Sequence, residues 1–165
     1  MTKEKLQFDG ATLARLSDLR GQTAVVTGGS AGIGRAAARL LAEAGANVVI
    51  ANRRAEAGRE VADMLIAQGH SALAMSCDVG NEDSIRELFE QVARRFGTVD
   101  ILVNNAGIMP KTPFTDVSAE EWDRVQQVNL RGAFLCMREA ARLMKENASG
   151  GRIVNVSSTS SMHPG

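Results

Sequence analysis

The residues best placed to do chemistry come early in the chain. Thr27-Gly28-Gly29-Ser30-Ala31-Gly32-Ile33-Gly34 follows a short apolar run and precedes a stretch rich in Ala, Leu and Arg. A glycine-rich turn between a strand and a helix suits a dinucleotide phosphate. Gly28 permits the tight turn, Gly32 lets the backbone approach a pyrophosphate, and Gly34 lets the helix close onto the sheet. The unpaired N–H groups and the positive dipole end of the following helix attract the same anion. Ser30 and Ile33 stand between those glycines and count with them as cofactor-contacting positions. Gly32-Ile33-Gly34-Arg35-Ala36-Ala37 also spells G-x-G-x-x-A, but in that register the turn falls several residues past the strand.

Ala51-Asn52-Arg53-Arg54 closes the second apolar run. A carboxylate about 20 positions after the glycines would bind a ribose 2′-hydroxyl and mark NAD. None stands here, and two guanidinium groups suit a 2′-phosphate through paired charged hydrogen bonds. Asn52, Arg53 and Arg54 therefore point to NADP; NAD stays possible, since Ala31 adds no cation to the glycine loop. The competing reading of the arginines is a solvated helix start. Asn104-Asn105-Ala106-Gly107 closes a fourth apolar run. Small residues at the carboxyl end of a buried strand allow close backbone approach to a ligand, which adds Asn105, Ala106 and Gly107 to the candidate site.

The elements that must position these residues follow from periodicity. Apolar runs at 23–27, 47–51, 71–76, 99–103 and 153–156 read as strands. Helical patterns fill 36–44, about 55–68, 81–96 and 118–145. Gly45, Gly69 and Gly97 sit where helices end, and Asn81 or Asp83 can cap the third. Ser118-Ala119-Glu120-Glu121 is a capping-box pattern opening the long last helix. Strands alternating with helices imply βαβ units, hence an α/β fold with a doubly wound parallel sheet of about five strands. Residues 1–20, with Leu13, Leu16 and Leu19 hinting at a short helix, are expected to be an N-terminal extension to a domain over 21–165.

Composition narrows the function classes. The chain has 165 residues, 44% hydrophobic and 23% charged, close to globular averages of about 45–50% and about 25%. Nineteen basic residues balance nineteen acidic ones, which argues against nucleic acid as a partner. No run approaches the roughly 18 apolar residues of a membrane span, and no apolar segment of signal-peptide type follows the N-terminus, so the expected setting is cytoplasmic, away from membranes. Cys77 and Cys136 lack the spacing of a metal site or a disulfide framework and read as small buried hydrophobes. No metal is expected. Tyrosine is absent from the whole sequence, so no step in this chain can use a phenol.

The glycine loop, the Asn-Asn-Ala-Gly string and the segment Ile153-Val154-Asn155-Val156-Ser157-Ser158 resemble, in order and spacing, the short-chain dehydrogenase/reductase family. Cys77-Asp78-Val79 after the third strand and Val128-Asn129-Leu130 in the long helix extend the likeness across residues 21–161. The resemblance implies a Rossmann-like domain and hydride transfer between NADP(H) or NAD(H) and a small alcohol or carbonyl substrate. It implies that Asp78, with Val79 beside it, meets the adenine and that Ser158 is the catalytic serine, Ser157 being the competing assignment. It implies that Asn129, read as a buried amide, helps a proton relay, and that the full-length protein is a homo-oligomer. The family's acid/base is a Tyr-x-x-x-Lys motif roughly a dozen residues past the serine. That motif has no counterpart up to Gly165, and His163 is no evident substitute. The expectation is therefore an N-terminal portion of an oxidoreductase, C-terminally incomplete and inactive by itself, with the fifth strand an exposed apolar edge. The alternative is a complete, non-catalytic nucleotide-binding module. Reading the coding DNA past codon 165 separates them: tyrosine followed four residues later by lysine supports the first, and an in-frame stop supports the second.

Overall fold

The computed structural model describes residues 17–147 and 150–158. The expected helix over Leu13 and Leu16, the residues Thr159 to Ser161 and His163 lie outside the described residues. Five strands alternate with helices: β1 (Thr23–Thr27), α1 (Gly32–Glu43), β2 (Asn47–Asn52), α2 (Ala55–Ala67), β3 (Ala72–Ser76), α3 (Glu82–Phe96), β4 (Ile101–Asn104) and β5 (Arg152–Asn155). Between β4 and β5 come a 3₁₀ turn (Phe114–Asp116), α4 (Ala119–Val125), a π-helical segment (Gln126–Gly132) and α5 (Ala133–Glu146). All strand pairs are parallel, in the order β3-β2-β1-β4-β5. The chain thus reverses its direction of travel across the sheet between β1 and β4, the topological switch point where open α/β sheets bind ligands.

Strand alternation divides the core into two layers. Val25, Val49 and Leu102 point to one face, onto Ile85, Leu88, Phe89 and Val92 of α3 and Leu135, Cys136, Ala140 and Met144 of α5. Ala24, Val26, Val48, Ile50, Ile101 and Val103 point to the other, onto Ala38 and Ala42 of α1 and Val61, Ala62 and Leu65 of α2. Such two-sided burial explains why the strands read as unbroken apolar runs. At the amino end of the sheet, buried Asp100 accepts from the Thr23 N–H (2.8 Å) and from Asn147 Nδ2 (2.7 Å). Its own backbone bonds both Thr23 and Arg152, so one residue ties the starts of β1, β4 and β5 together. Leu19 joins the same end, its N–H bonded to Ala44 O and its side chain packed on the α1–α2 core layer.

The helix starts follow local rules. Asn81 Oδ1 accepts from Ser84 N at 3.0 Å, which makes Asn81 rather than Asp83 the cap of α3. Ser118 Oγ accepts from Glu121 N, half of the expected capping box; the Glu121 carboxylate instead receives Thr112 Oγ1 at 2.8 Å. The single long helix expected over 118–145 is in fact broken into α4, the π segment and α5. Among the described residues β5 is an edge strand with Ile153 and Val154 exposed, as expected for that strand. Among the same residues no helix is long and apolar enough to cross a membrane, and no group of three metal-ligating side chains occurs.

Both cysteines are buried and unpaired with each other. Burial pushes the Cys77 thiol up to about 11 and the Cys136 thiol up to about 12, from an ordinary value of 9.0. A thiol whose folded pKa is raised favours the folded state fully below its unfolded pKa. That contribution is lost as pH rises through the folded values. Folding stability therefore falls between about pH 9 and about pH 12 as the thiols are forced to ionise, a loss read by denaturant melts. At about pH 8 a thiol reagent should modify neither cysteine in the native chain and both after denaturation; rapid native labelling would contradict the buried assignment.

Candidate functional site

The turns leaving β1, β2, β3 and β4 meet at the carboxyl end of the sheet and enclose a cleft of about 290 Å³, near the lower bound of about 300 Å³ for small-molecule sites. Its lining includes Gly28 and Ser30 from the glycine loop; Asn52, Arg53 and Arg54 after β2; Asp78 and Val79 after β3; and Ala106 and Gly107 after β4. Nine positions singled out from the sequence thus converge. Gly32, Ile33, Gly34 and Asn105 do not line the cleft. Gly32 and Ile33 are exposed on the first turn of α1. Gly34 is buried beneath Asn105, where a Cβ would collide with Asn105 Nδ2 and Gly28 O.

That collision marks the brace of the site. Thr27 Oγ1 accepts the backbone N–H groups of both Asn105 and Ala106, each at 3.1 Å. Asn105 Nδ2 donates to Thr27 O and Gly28 O, again at 3.1 Å each. Gly28 sits at φ +66°, and a Cβ there would lie 3.0 Å from Ala106 Cα. The glycine loop and the β4 turn can come this close only without side chains at Gly28 and Gly34.

Two features suit the cleft to an anionic nucleotide. The α1 N-terminus has no side-chain cap and no acidic residue in its first turn, so its N–H groups stay available to a phosphate. At the end of β2, Asn52 Nδ2 donates to Ser30 Oγ at 2.8 Å, joining the specificity turn to the glycine loop. Asn52 Oδ1 is buried and has no hydrogen-bond partner within the protein. A buried acceptor left unsatisfied costs about 1–3 kcal/mol, which a ligand donor or a water can recover. Arg53 and Arg54 are exposed at the rim beside them. Opposite, Asp78 Oδ1 accepts from Gly80 N at 2.9 Å, and Ser84 Oγ accepts from Asp78 N at 3.0 Å; both bonds shape the turn after β3.

Asn129 is the clearest correction. Expected to be a buried amide inside a long helix, it lies exposed in the π segment. Its side chain forms a two-way pair with Ile108, accepting from Ile108 N and donating to Ile108 O, each at 2.8 Å. The amide is satisfied by backbone across the cleft wall, so it needs no burial. A π turn inside a helix often marks a functional position. Ser158 lies three residues beyond β5, exposed, at the same end of the sheet but outside the cleft lining. Asn155 is tied to β4 by Asn104 Nδ2 at 2.9 Å.

Five further residues, not among the expected site positions, also line the cleft: Ala51, Ala57, Cys77, Ile108 and Val128. Ile108 and Val128 had an available signal, being chain neighbours of Gly107 and Asn129. Ala51 and Cys77 had the same signal, as neighbours of Asn52 and Asp78, and Ala57 had none beyond small size.

A family description, short chain dehydrogenase, matches residues 22–165. The chain is 48% identical over 138 residues to the cis-4-hydroxycyclohexanecarboxylate dehydrogenase of Sinomonas cyclohexanicum, covering 83% of this chain and 55% of that one. It is 43% identical over 145 residues to the L-rhamnose 1-dehydrogenase (NAD(P)(+)) of Azotobacter vinelandii, covering 86% and 57%. The chain thus spans little more than half the length of these relatives. Among solved structures, a short-chain type dehydrogenase/reductase from Mycobacterium marinum superposes with a TM-score of 0.86 at 40% identity, covering 90% of this chain and 60% of that one. A metagenomic short-chain oxidoreductase in complex with NADP gives 0.81 at 40% identity, covering 86% and 64%.

The brace predicts a specific mutant pattern. Thr27→Val keeps the shape but leaves two backbone N–H groups without their acceptor, at a cost of about 2–4 kcal/mol. Thr27→Ser should retain most of the stability. Equilibrium urea unfolding checks both, and a Thr27→Val chain as stable as the original would show that the hydroxyl is dispensable.

Proposed function

The chain belongs to the short-chain dehydrogenase family, and from that premise we propose that its cleft holds a nicotinamide dinucleotide, NADP(H) in preference to NAD(H), in the service of an oxidoreductase interconverting a small alcohol and its carbonyl. The observation that carries the preference is the β2 turn. Asn52, Arg53 and Arg54 line the cleft beside Ser30, with no carboxylate among the residues of that turn.

The cleft fits such a group. The uncapped start of α1 accepts the pyrophosphate. Ser30, Arg53 and Arg54, together in the cleft lining, would hold a 2′-phosphate. The hydroxyl of Ser30, already accepting from Asn52, keeps its own proton for donation outward. Val79, Ala106 and Ile108 offer apolar surface to a base, and Asp78 offers a carboxylate acceptor at its edge. When bound, the nicotinamide supplies or takes up the hydride. In this reading Ser158 donates a hydrogen bond to the substrate oxygen. Asn129 acts indirectly: both its polar atoms are engaged by Ile108, so it positions the wall of the cleft rather than touching the reacting atoms. The same kinship extends the proposal to a cytoplasmic, homo-oligomeric full-length protein.

Calorimetric titration of the 165-residue chain tests the proposal. NADPH should bind at least about tenfold more tightly than NADH. Arg53→Ala with Arg54→Ala should weaken NADPH by roughly 10- to 100-fold, as expected for losing charged hydrogen bonds worth about 1.5–3 kcal/mol, and leave NADH within about twofold. NADH binding as tight as NADPH would overturn the preference.

A further inference from the structure

Three consecutive residues of the π segment reach the cleft or the turns that frame it. Gln127 Nε2 donates to Gly80 O at 2.7 Å, gripping the turn after β3 that carries Asp78 and Val79. Val128 itself lines the cleft. Asn129 holds Ile108, on the wall formed after β4. In an α-helix successive side chains point about 100° apart, so three in a row fan over more than half the circumference. The wider i→i+5 turn of a π-helix narrows that fan, and the three residues engage the cleft and the two turns on either side of it.

Other contacts pin the β3 turn to the same segment. Gly132, the last residue of the π segment, packs so closely that a Cβ would lie 2.5 Å from Val79 O. Glu82, just past the turn, pairs with Arg131 at 2.7 Å and with Arg138 at 2.8 Å. The Arg138 guanidinium, with Arg131 beyond it, holds the Glu82 carboxyl below its ordinary value.

We infer that Gln127 is a positioning residue for the nucleotide: with Val128 and Asn129 it forms a bracket that fixes the separation of the Asp78–Gly80 turn from the Ala106–Ile108 turn. The inference rests on the dinucleotide reading of the cleft and adds a residue outside the cleft lining to it. Gln127 touches neither wall's ligand-facing surface; it acts through Gly80 O. Losing that one hydrogen bond loosens the wall at Gly80, with the contacts at Val79 and Glu82 still made, while the glycine loop and the arginines stay in place.

The test uses ADP and NADPH titrated into the 165-residue chain. Gln127→Met keeps the length of the side chain and removes the donor; it should weaken both ligands by about 5- to 10-fold, the equivalent of one hydrogen bond. Gln127→Lys restores a donor to Gly80 O and should bind within about twofold of the original. A role in stability alone would lower the melting temperature of Gln127→Met and leave the affinities equal, and that result overturns the inference, as does a lysine variant no better than methionine. An original chain that binds neither ligand overturns the dinucleotide reading and this inference with it; an original chain that binds both, with an equal methionine variant, overturns this inference alone. Should Gln127→Met fail to fold, amide exchange on the unaltered chain decides. ADP should slow the amides of Gly80 and Ile108 together, and protection confined to one wall contradicts the bracket.

Discussion

The close approach of two turns at the carboxyl ends of β1 and β4 is the constraint on which the rest of the site depends. Thr27 and Gly28 on one turn and Asn105 and Ala106 on the other are joined by four hydrogen bonds across adjacent parallel strands. Side chains at Gly28 or Gly34 would wedge the two turns apart. Once the brace is made, the first turn of α1 is aimed at the space above β1. The remaining turns can then only surround that space. The side chains used by the brace, Thr27 and Asn105, are short and have little rotamer entropy to lose on ordering. A longer side chain at position 105 would have to desolvate more and would fill the gap that Gly34 leaves.

The second level of organisation is the π segment. The brace sets the floor of the cleft, and Gln127, Val128 and Asn129 set its far side. One stretch of helix thereby contacts turns from β3 and β4 that are not adjacent in the sheet, since β2 and β1 separate those strands. Gly132 permits this approach by yielding space to Val79 O. The Arg131 and Arg138 pairs to Glu82 draw the same helix toward the start of α3. They are at most half-buried and open to solvent screening, so their part is to orient the helix rather than to hold the fold together. That work falls to the two apolar layers of the sheet.

Much of this was legible in the residues. The apolar runs located all five strands within a residue or two, because a parallel sheet covered on both faces leaves no polar alternation to confuse the reading. Seven cleft positions followed from turn chemistry at strand ends, and Asp78 and Val79 from the family resemblance. What escaped were side-chain partnerships over long separations and the local winding of one helix. Asn129 and Ile108 are 21 residues apart, and Gln127 and Gly80 are 47 apart; no periodicity links them. An amide among apolar neighbours reads as buried, yet a two-way bond to backbone satisfies Asn129 in the open. The π segment has no composition of its own, since Gln126-Gln127-Val128-Asn129 suits an ordinary α-helix. Glu121 likewise fits a capping box in sequence but is engaged by Thr112.

The most direct test of the account is to map where NADPH perturbs the backbone of the 165-residue chain by NMR. The account predicts shifts grouped at four turns: Gly28 to Gly34, Asn52 to Arg54, Asp78 to Gly80, and Asn105 to Ile108. It also predicts a smaller response at Gln127 to Asn129. Shifts confined to the amino end of the sheet around Asp100, or no saturable change anywhere, would contradict it.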